Sequence, residues 1–249
     1  MLPAARFSSG TQNQLPLSIV SSGCSLSPLF SLCSLIIIFL STIGVDIDGD
    51  LVDLCRKHLK YCPEEMYNEP RLTFAAQDCR VFFDEAKRRG VKYDCIILDL
   101  CDPDVDDLIE LEAEAEAKAP PPQSADEQDL DYNLHGLRFW KEISSLLTSE
   151  GAICTHTGPI FPGSTDRLRR PGQWWTKRMG KECELGEGST FKVCIPSFQG
   201  EWGYWMSTSP KLEEGGSADA SFPRDCRVMD DDVQKIAFKW PKFYGEDGI

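Results

Sequence analysis

"YDCIILDLCDP", residues 93–103, decides how the rest of the chain is laid out. Cys95 to Leu98 form an unbroken apolar run, as expected of a strand covered on both faces. The run then ends in two carboxylates, Asp99 and Asp102, with Pro103 closing the stretch. Asp before Pro at a strand end is ordinary turn chemistry. The pair gains meaning only from what surrounds it.

Those surroundings repeat one unit. "TIGVDID" (42–48) reads as a short buried strand ending in acids, and "GDLVDLCRKHLKYC" (49–62) places Leu51, Leu54, Cys55 and Leu59 at helical spacing. "RLTFAAQD" (71–78) reads as a second strand, "CRVFFDEAKRRG" (79–90) as a helix closed by Gly90, and "YDCIILDL" (93–100) as a third strand. Further on, "GLRFWKEISSLLTSEG" (136–151) is amphipathic and "AICTHTG" (152–158) resumes as a strand. Strands alternating with helices imply parallel pairing in a doubly wound, three-layer α/β sheet. "STFKVCIPSF" (189–198) and "EWGYWMSTS" (201–209), joined by "QG", suit an antiparallel hairpin at the C-terminal edge of that sheet.

In such sheets ligands bind outside the carboxyl ends of the strands, at the point where the strand order reverses. Three predicted strands finish there in acids: Asp46 and Asp48, then Asp78, then Asp99 and Asp102. A single acid in that place is commonly a helix N-cap, and that role is expected of Asp48. Five acids on one rim suit ribose hydroxyls, an adenine amino group and a cationic amine.

Charge and cysteine usage narrow the classes. The 249 residues carry a formal charge of -14, which argues against a nucleic-acid partner, whose phosphates need a basic face. Residues 104–133 hold eleven Asp or Glu against one Lys, a balance of -10 that leaves -4 for the rest. This stretch reads as a solvated acidic insertion stopped by Pro120, Pro121 and Pro122, with an electrostatic lure for polycations as the alternative. The eleven cysteines include no CxxC pair, and the three histidines, His58, His135 and His156, are scattered. Neither a disulfide framework nor a metal site is expected, and the thiols fit a reducing compartment.

The first segment stands apart. Between Arg6 and Asp46 there is no charged residue, and "LIIIFL" (35–40) is flanked by serines. The apolar run falls short of the roughly 20 residues of a membrane span. The chain is therefore divided into an atypical apolar, Ser-rich segment at 1–41 and one catalytic-type domain at 42–249. A cytoplasmic protein without membrane contact is expected, with organelle targeting or anchoring through residues 1–41 as the alternative.

Taken together, "GVDIDGDLVDLCRKHL", "RLTFAAQDCRVFF", "YDCIILDLCDP", "LHGLRFWKEISSLLTSEGAICTHTG" and "IPSFQGEWGYWMSTS" resemble, in order and spacing, the polyamine aminopropyltransferases, that is the spermidine and spermine synthases. "VMDDDVQKIAFKWPKF" is similar to the family's C-terminal segment. The resemblance implies a Rossmann-like, class I methyltransferase-like sheet and a place in polyamine biosynthesis. The implied reaction moves an aminopropyl group from decarboxylated S-adenosylmethionine to putrescine or another polyamine, releasing methylthioadenosine. The nucleoside is a co-substrate, so no prosthetic group is expected; the implied partners are small molecules, with a homodimer as a further expectation.

Position by position, the resemblance makes Asp46 the acid for the ribose hydroxyls. It makes Asp78, with the backbone beside Cys79, the adenine contact. Asp99 becomes the proton acceptor, Asp102 the carboxylate that grips the amine, and Phe198 and Trp202 lie in the substrate pocket. His156 stands where the family carries a glutamine. The family's glycine-rich loop is expected to be missing, because "CSLSPLFSLCSLIIIFL" (24–40) precedes Asp46 instead, and its N-terminal hairpin domain is not expected either. An inactive relative and an S-adenosylmethionine-dependent methyltransferase are the alternative functions.

Overall fold

Seven strands form one sheet in the order β3-β2-β1-β4-β5-β7-β6. They are β1 (Leu17–Ser22), β2 (Ser41–Asp46), β3 (Leu72–Ala76), β4 (Tyr93–Asp99), β5 (Leu147–Pro159), β6 (Ser189–Ile195) and β7 (Gly200–Thr208). This computed structural model describes residues 17–22, 41–58, 67–100, 134–159, 171–186, 188–195, 200–209 and 237, with only the backbone at 17–22, 171–175 and 177. β3, β2, β1, β4 and β5 run parallel, β7 is antiparallel to β5, and β6 is antiparallel to β7. The mostly parallel sheet and its antiparallel edge hairpin agree with the architecture the sequence predicts.

β1 occupies the middle of the sheet, between β2 and β4, so the division expected at residue 41 falls inside the sheet. A central parallel strand needs a run free of charge. Freedom from charge is the property that sets residues 7–45 apart in the sequence.

Alternation along the strands sorts side chains onto two faces. Val45, Ile96, Leu98, Ile153 and Trp205 face one side, where α2 (Cys79–Arg88), α3 (Leu137–Ser145) and α4 (Pro171–Glu182) cover them with Phe83, Ala86, Phe139, Trp140, Ile143 and Met179. The opposite side belongs to α1 (Gly49–His58): Arg56 lies 5.1 Å over the Tyr67 ring, and Tyr67 lies 6.4 Å from Phe74, which points away from the buried Val45 row. Gly44 shares that side, and a Cβ there would come within 2.8 Å of the Phe74 ring. Helices on both faces make the sheet doubly wound.

Two elements differ from the sequence prediction. The helix expected over 136–151 stops at Ser145, with Leu146 capping it, because Tyr93 N–H takes the Leu146 carbonyl and draws Leu147 and Thr148 into the start of β5. α4 is not predicted at all; its Pro171 suits the first helical position, but Gly172 and Gly180 hide the helical pattern. Gly180 has a packing reason: a Cβ there would sit 2.6 Å from Trp205 Cζ2. Gly188 touches the same indole, so Trp205 lies between two glycines. Among the described residues no helix is long and apolar enough to cross a membrane.

Candidate active site

The parallel register lines up the acids. Ser22 at the end of β1 pairs with Asp46 at the end of β2 on one side and with Asp99 at the end of β4 on the other. The two carboxylates thus flank β1 where the strand order reverses, about 10 Å apart for two strand spacings. The row continues across the sheet, since His156 on β5 pairs with Tyr204 on β7, and Tyr204 pairs with Phe191 on β6. Asp46, Asp99, His156 and Tyr204 all lie on the α1 side, opposite the buried core row.

The turn after β2 holds Asp46 in place. Its Oδ1 accepts the Asp48 N–H at 2.9 Å, and its backbone carbonyl accepts the Gln77 N–H at 2.9 Å. Asp48 Oδ1 accepts the Leu51 N–H at 2.9 Å, which is the N-cap role the sequence predicts. Ile47, between these acids, is 66% exposed and offers apolar surface directly on the rim.

Asp78 is committed differently. It caps α2 by accepting the Arg80 N–H at 2.8 Å, and both its oxygens meet the Arg80 guanidinium, Oδ2 at 2.6 Å from Nη2 and Oδ1 at 3.0 Å from Nε. The guanidinium hydrogen bond holds this carboxyl below the usual carboxylate range, partly offset by burial. A carboxyl whose folded pKa is lowered gives stability that is present above its unfolded pKa and lost as pH falls through the folded one. Asp78→Ala should therefore cost about 1 kcal/mol at neutral pH through the lost cap, and the deficit should shrink in acid. Urea unfolding of both proteins at neutral and acidic pH measures it. Cys79, the first residue of α2, is buried in the core.

At the other end of the row, Asp99 is the last residue of β4. His156 Nε2 lies 3.8 Å from its Oδ1 and hydrogen-bonds the Leu100 carbonyl. Burial first, and then the charge of Asp99, push the Tyr204 phenol up to about 12, so it stays protonated beside the carboxylate. The Tyr204 ring stacks on Phe191 at 5.2 Å and 13°. Trp202 lies two residues along β7, on the same face as Tyr204 and opposite Pro159. On the strands behind this group, burial raises the thiols of Cys95 to about 11 and Cys154 to about 12, which keeps them protonated rather than nucleophilic.

The structure therefore brings Asp46, Asp99 and Trp202 of the expected site to one rim, with Asp78 at the start of the neighbouring helix. Asp102 and Phe198 lie outside the described residues. Tyr204 is not among the residues the sequence singles out, and His156 appears there only as the residue standing where the family carries a glutamine; the one available signal for Tyr204 is its i, i+2 spacing from Trp202. Among the described residues no group of three or more His, Cys, Asp or Glu is placed to hold a metal ion.

Residues 38–108 match the spermine/spermidine synthase domain, a span that begins just before β2 and runs past Asp99. Over that span the chain is similar to the spermine/spermidine synthase family. It is 28% identical over 156 residues to the polyamine aminopropyltransferase of Pyrobaculum calidifontis, an alignment covering 62% of this chain and 43% of that protein. This chain thus spans less than half the length of the curated relatives of the family that it matches. The spermidine synthase of Thermotoga maritima superposes with a TM-score of 0.59 at 14% identity, over 93% of this chain and 67% of that one. A spermidine synthase in complex with the transition-state analogue AdoDATO gives 0.58 at 14% identity, over the same shares. At that identity the two structures show the fold, the doubly wound sheet with its edge hairpin.

Proposed function

We propose that the chain transfers an aminopropyl group from decarboxylated S-adenosylmethionine to a di- or polyamine, releasing methylthioadenosine. The observation that carries this reading is the register row that sets Asp46 and Asp99 on either side of β1. The names of the relatives, and the analogue bound to one of them, support it. Asp46, held by the turn after β2, takes the ribose hydroxyls, and the exposed Ile47 beside it offers the apolar surface a purine needs. Asp78 and the backbone at Cys79 lie next along the rim for the adenine edge, an amino donor joining Arg80 on the same carboxylate.

The chemistry falls to Asp99. An alkylammonium has no lone pair, so a proton must leave the nitrogen before it attacks. The Asp99 carboxylate takes that proton, and the freed amine forms a bond to the propyl carbon next to the sulfonium. The S–C bond breaks with its electron pair going to sulfur, which leaves neutral methylthioadenosine and a secondary ammonium. Asp99 then releases its proton to solvent. Asp102 grips the amine and orients it in line with the S–C bond, the positioning contribution to rate. Trp202 and Phe198 are assigned to substrate binding, and the Tyr204 phenol stays protonated under the charge of Asp99.

A methyltransferase on the same sheet would want the intact methionine moiety, so nucleoside preference separates the two readings. Calorimetric titration should show tighter binding of decarboxylated than of intact S-adenosylmethionine. Tighter binding of the intact form would assign the site to methyl transfer.

A further inference from the structure

We infer that His156 is a positioning residue that pins the acid-bearing end of β4 through the Leu100 carbonyl. The ladder between β4 and β5 runs as far as the pair Leu98 and Thr155, and β4 itself ends one residue on, at Asp99. At that step a side chain takes over from the ladder: His156 Nε2 bonds the carbonyl oxygen of Leu100, the residue between Asp99 and the segment that carries Asp102. A carbonyl only accepts, so Nε2 carries the ring proton and the neutral tautomer is set by this contact. The same N–H edge lies 3.8 Å from Asp99 Oδ1, with the two side chains only 10% and 22% exposed.

The strand is shaped to aim the ring there. β5 is irregular immediately after His156: the register against β7 shifts between His156 and Gly158, and Gly158 has φ +84, in the left-handed region. Bulges of this kind re-aim a side chain at a sheet edge. Among the described residues, Asp99 from β4 and Tyr204 from β7 neighbour the ring, with the thiol of Cys154 two residues back on β5. A glutamine side chain would supply the same kind of N–H donor to the carbonyl.

The effect on turnover rests on Asp99 acting as proposed above; the pin itself does not. The test uses the full chain and two variants, His156→Gln and His156→Ala. Nitrogen-15 NMR of the wild-type ring should show the Nε2–H tautomer, and hydrogen exchange across Leu98–Leu100 should quicken in His156→Ala but not in His156→Gln. Turnover should fall roughly tenfold in the alanine variant, the loss of one hydrogen bond. The glutamine variant, which keeps an N–H donor, should retain turnover near that of the wild type. An Nδ1–H tautomer, or equal exchange in wild type and His156→Ala, overturns the pin. Tautomer and exchange as expected, in a wild-type chain that forms no product, would retain the pin and overturn the proposed function instead.

Discussion

Asp99→Asn is expected to lower turnover by about 10²- to 10⁴-fold, the range general base catalysis contributes, while leaving nucleoside binding nearly intact. The amide has the shape of the carboxylate but cannot accept the proton from the attacking ammonium, so the variant removes the chemical step and little else. The separation follows from the register: Asp46, proposed to hold the ribose, lies across β1 from Asp99, two strand spacings away. A turnover assay paired with a methylthioadenosine titration of the same protein checks both halves. Loss of nucleoside affinity equal to the loss of turnover would show that Asp99 binds the nucleoside and that the roles are wrongly divided.

The largest effect on stability is expected at Trp205. This side chain is 1% exposed, packs edge-on against Trp140 at 6.0 Å, and is approached so closely by Gly180 and Gly188 that neither position has room for a Cβ. Trp205→Ala should cost about 3–5 kcal/mol and lower Tm by on the order of 10 °C. The two glycines cannot fill the space left behind, which places the cost toward the upper part of the range. Trp205→Phe should be much milder, because it retains ring contact and removes a buried Nε1–H that has no hydrogen-bond partner among the described residues. Thermal and urea unfolding of both variants reads the difference; equal losses would mean that the indole, not the filled volume, is what the core requires.

The sheet was largely legible from sequence because buried parallel strands leave unbroken apolar runs between helical periods. β4 shows it best, with "CIIL" ending in Asp99. β1 was not legible, because a charge-free, Ser-rich stretch fits a buried strand, a leader or a short anchor equally well. Only pairing with β2 and β4 distinguishes them. α4 was hidden by Gly172 and Gly180, the second of which exists for the sake of Trp205, a residue 25 positions away.

The same division holds at the site. Acids at strand ends, such as Asp46 and Asp99, are local features and were found. Asp78 was expected to face adenine; its pairing with Arg80, two residues away, shows that the same carboxylate first serves as a helix cap. The row from Asp99 through His156 and Tyr204 to Phe191 depends on register across four strands, and no sequence window contains it.

The most direct test supplies the purified chain with decarboxylated S-adenosylmethionine and either putrescine or spermidine, and follows both products by mass spectrometry. Amine-dependent release of methylthioadenosine is expected, matched mole for mole by an amine longer by one aminopropyl group. A chain that binds the nucleoside but forms neither product with either amine, or that methylates an acceptor from intact S-adenosylmethionine, would contradict it.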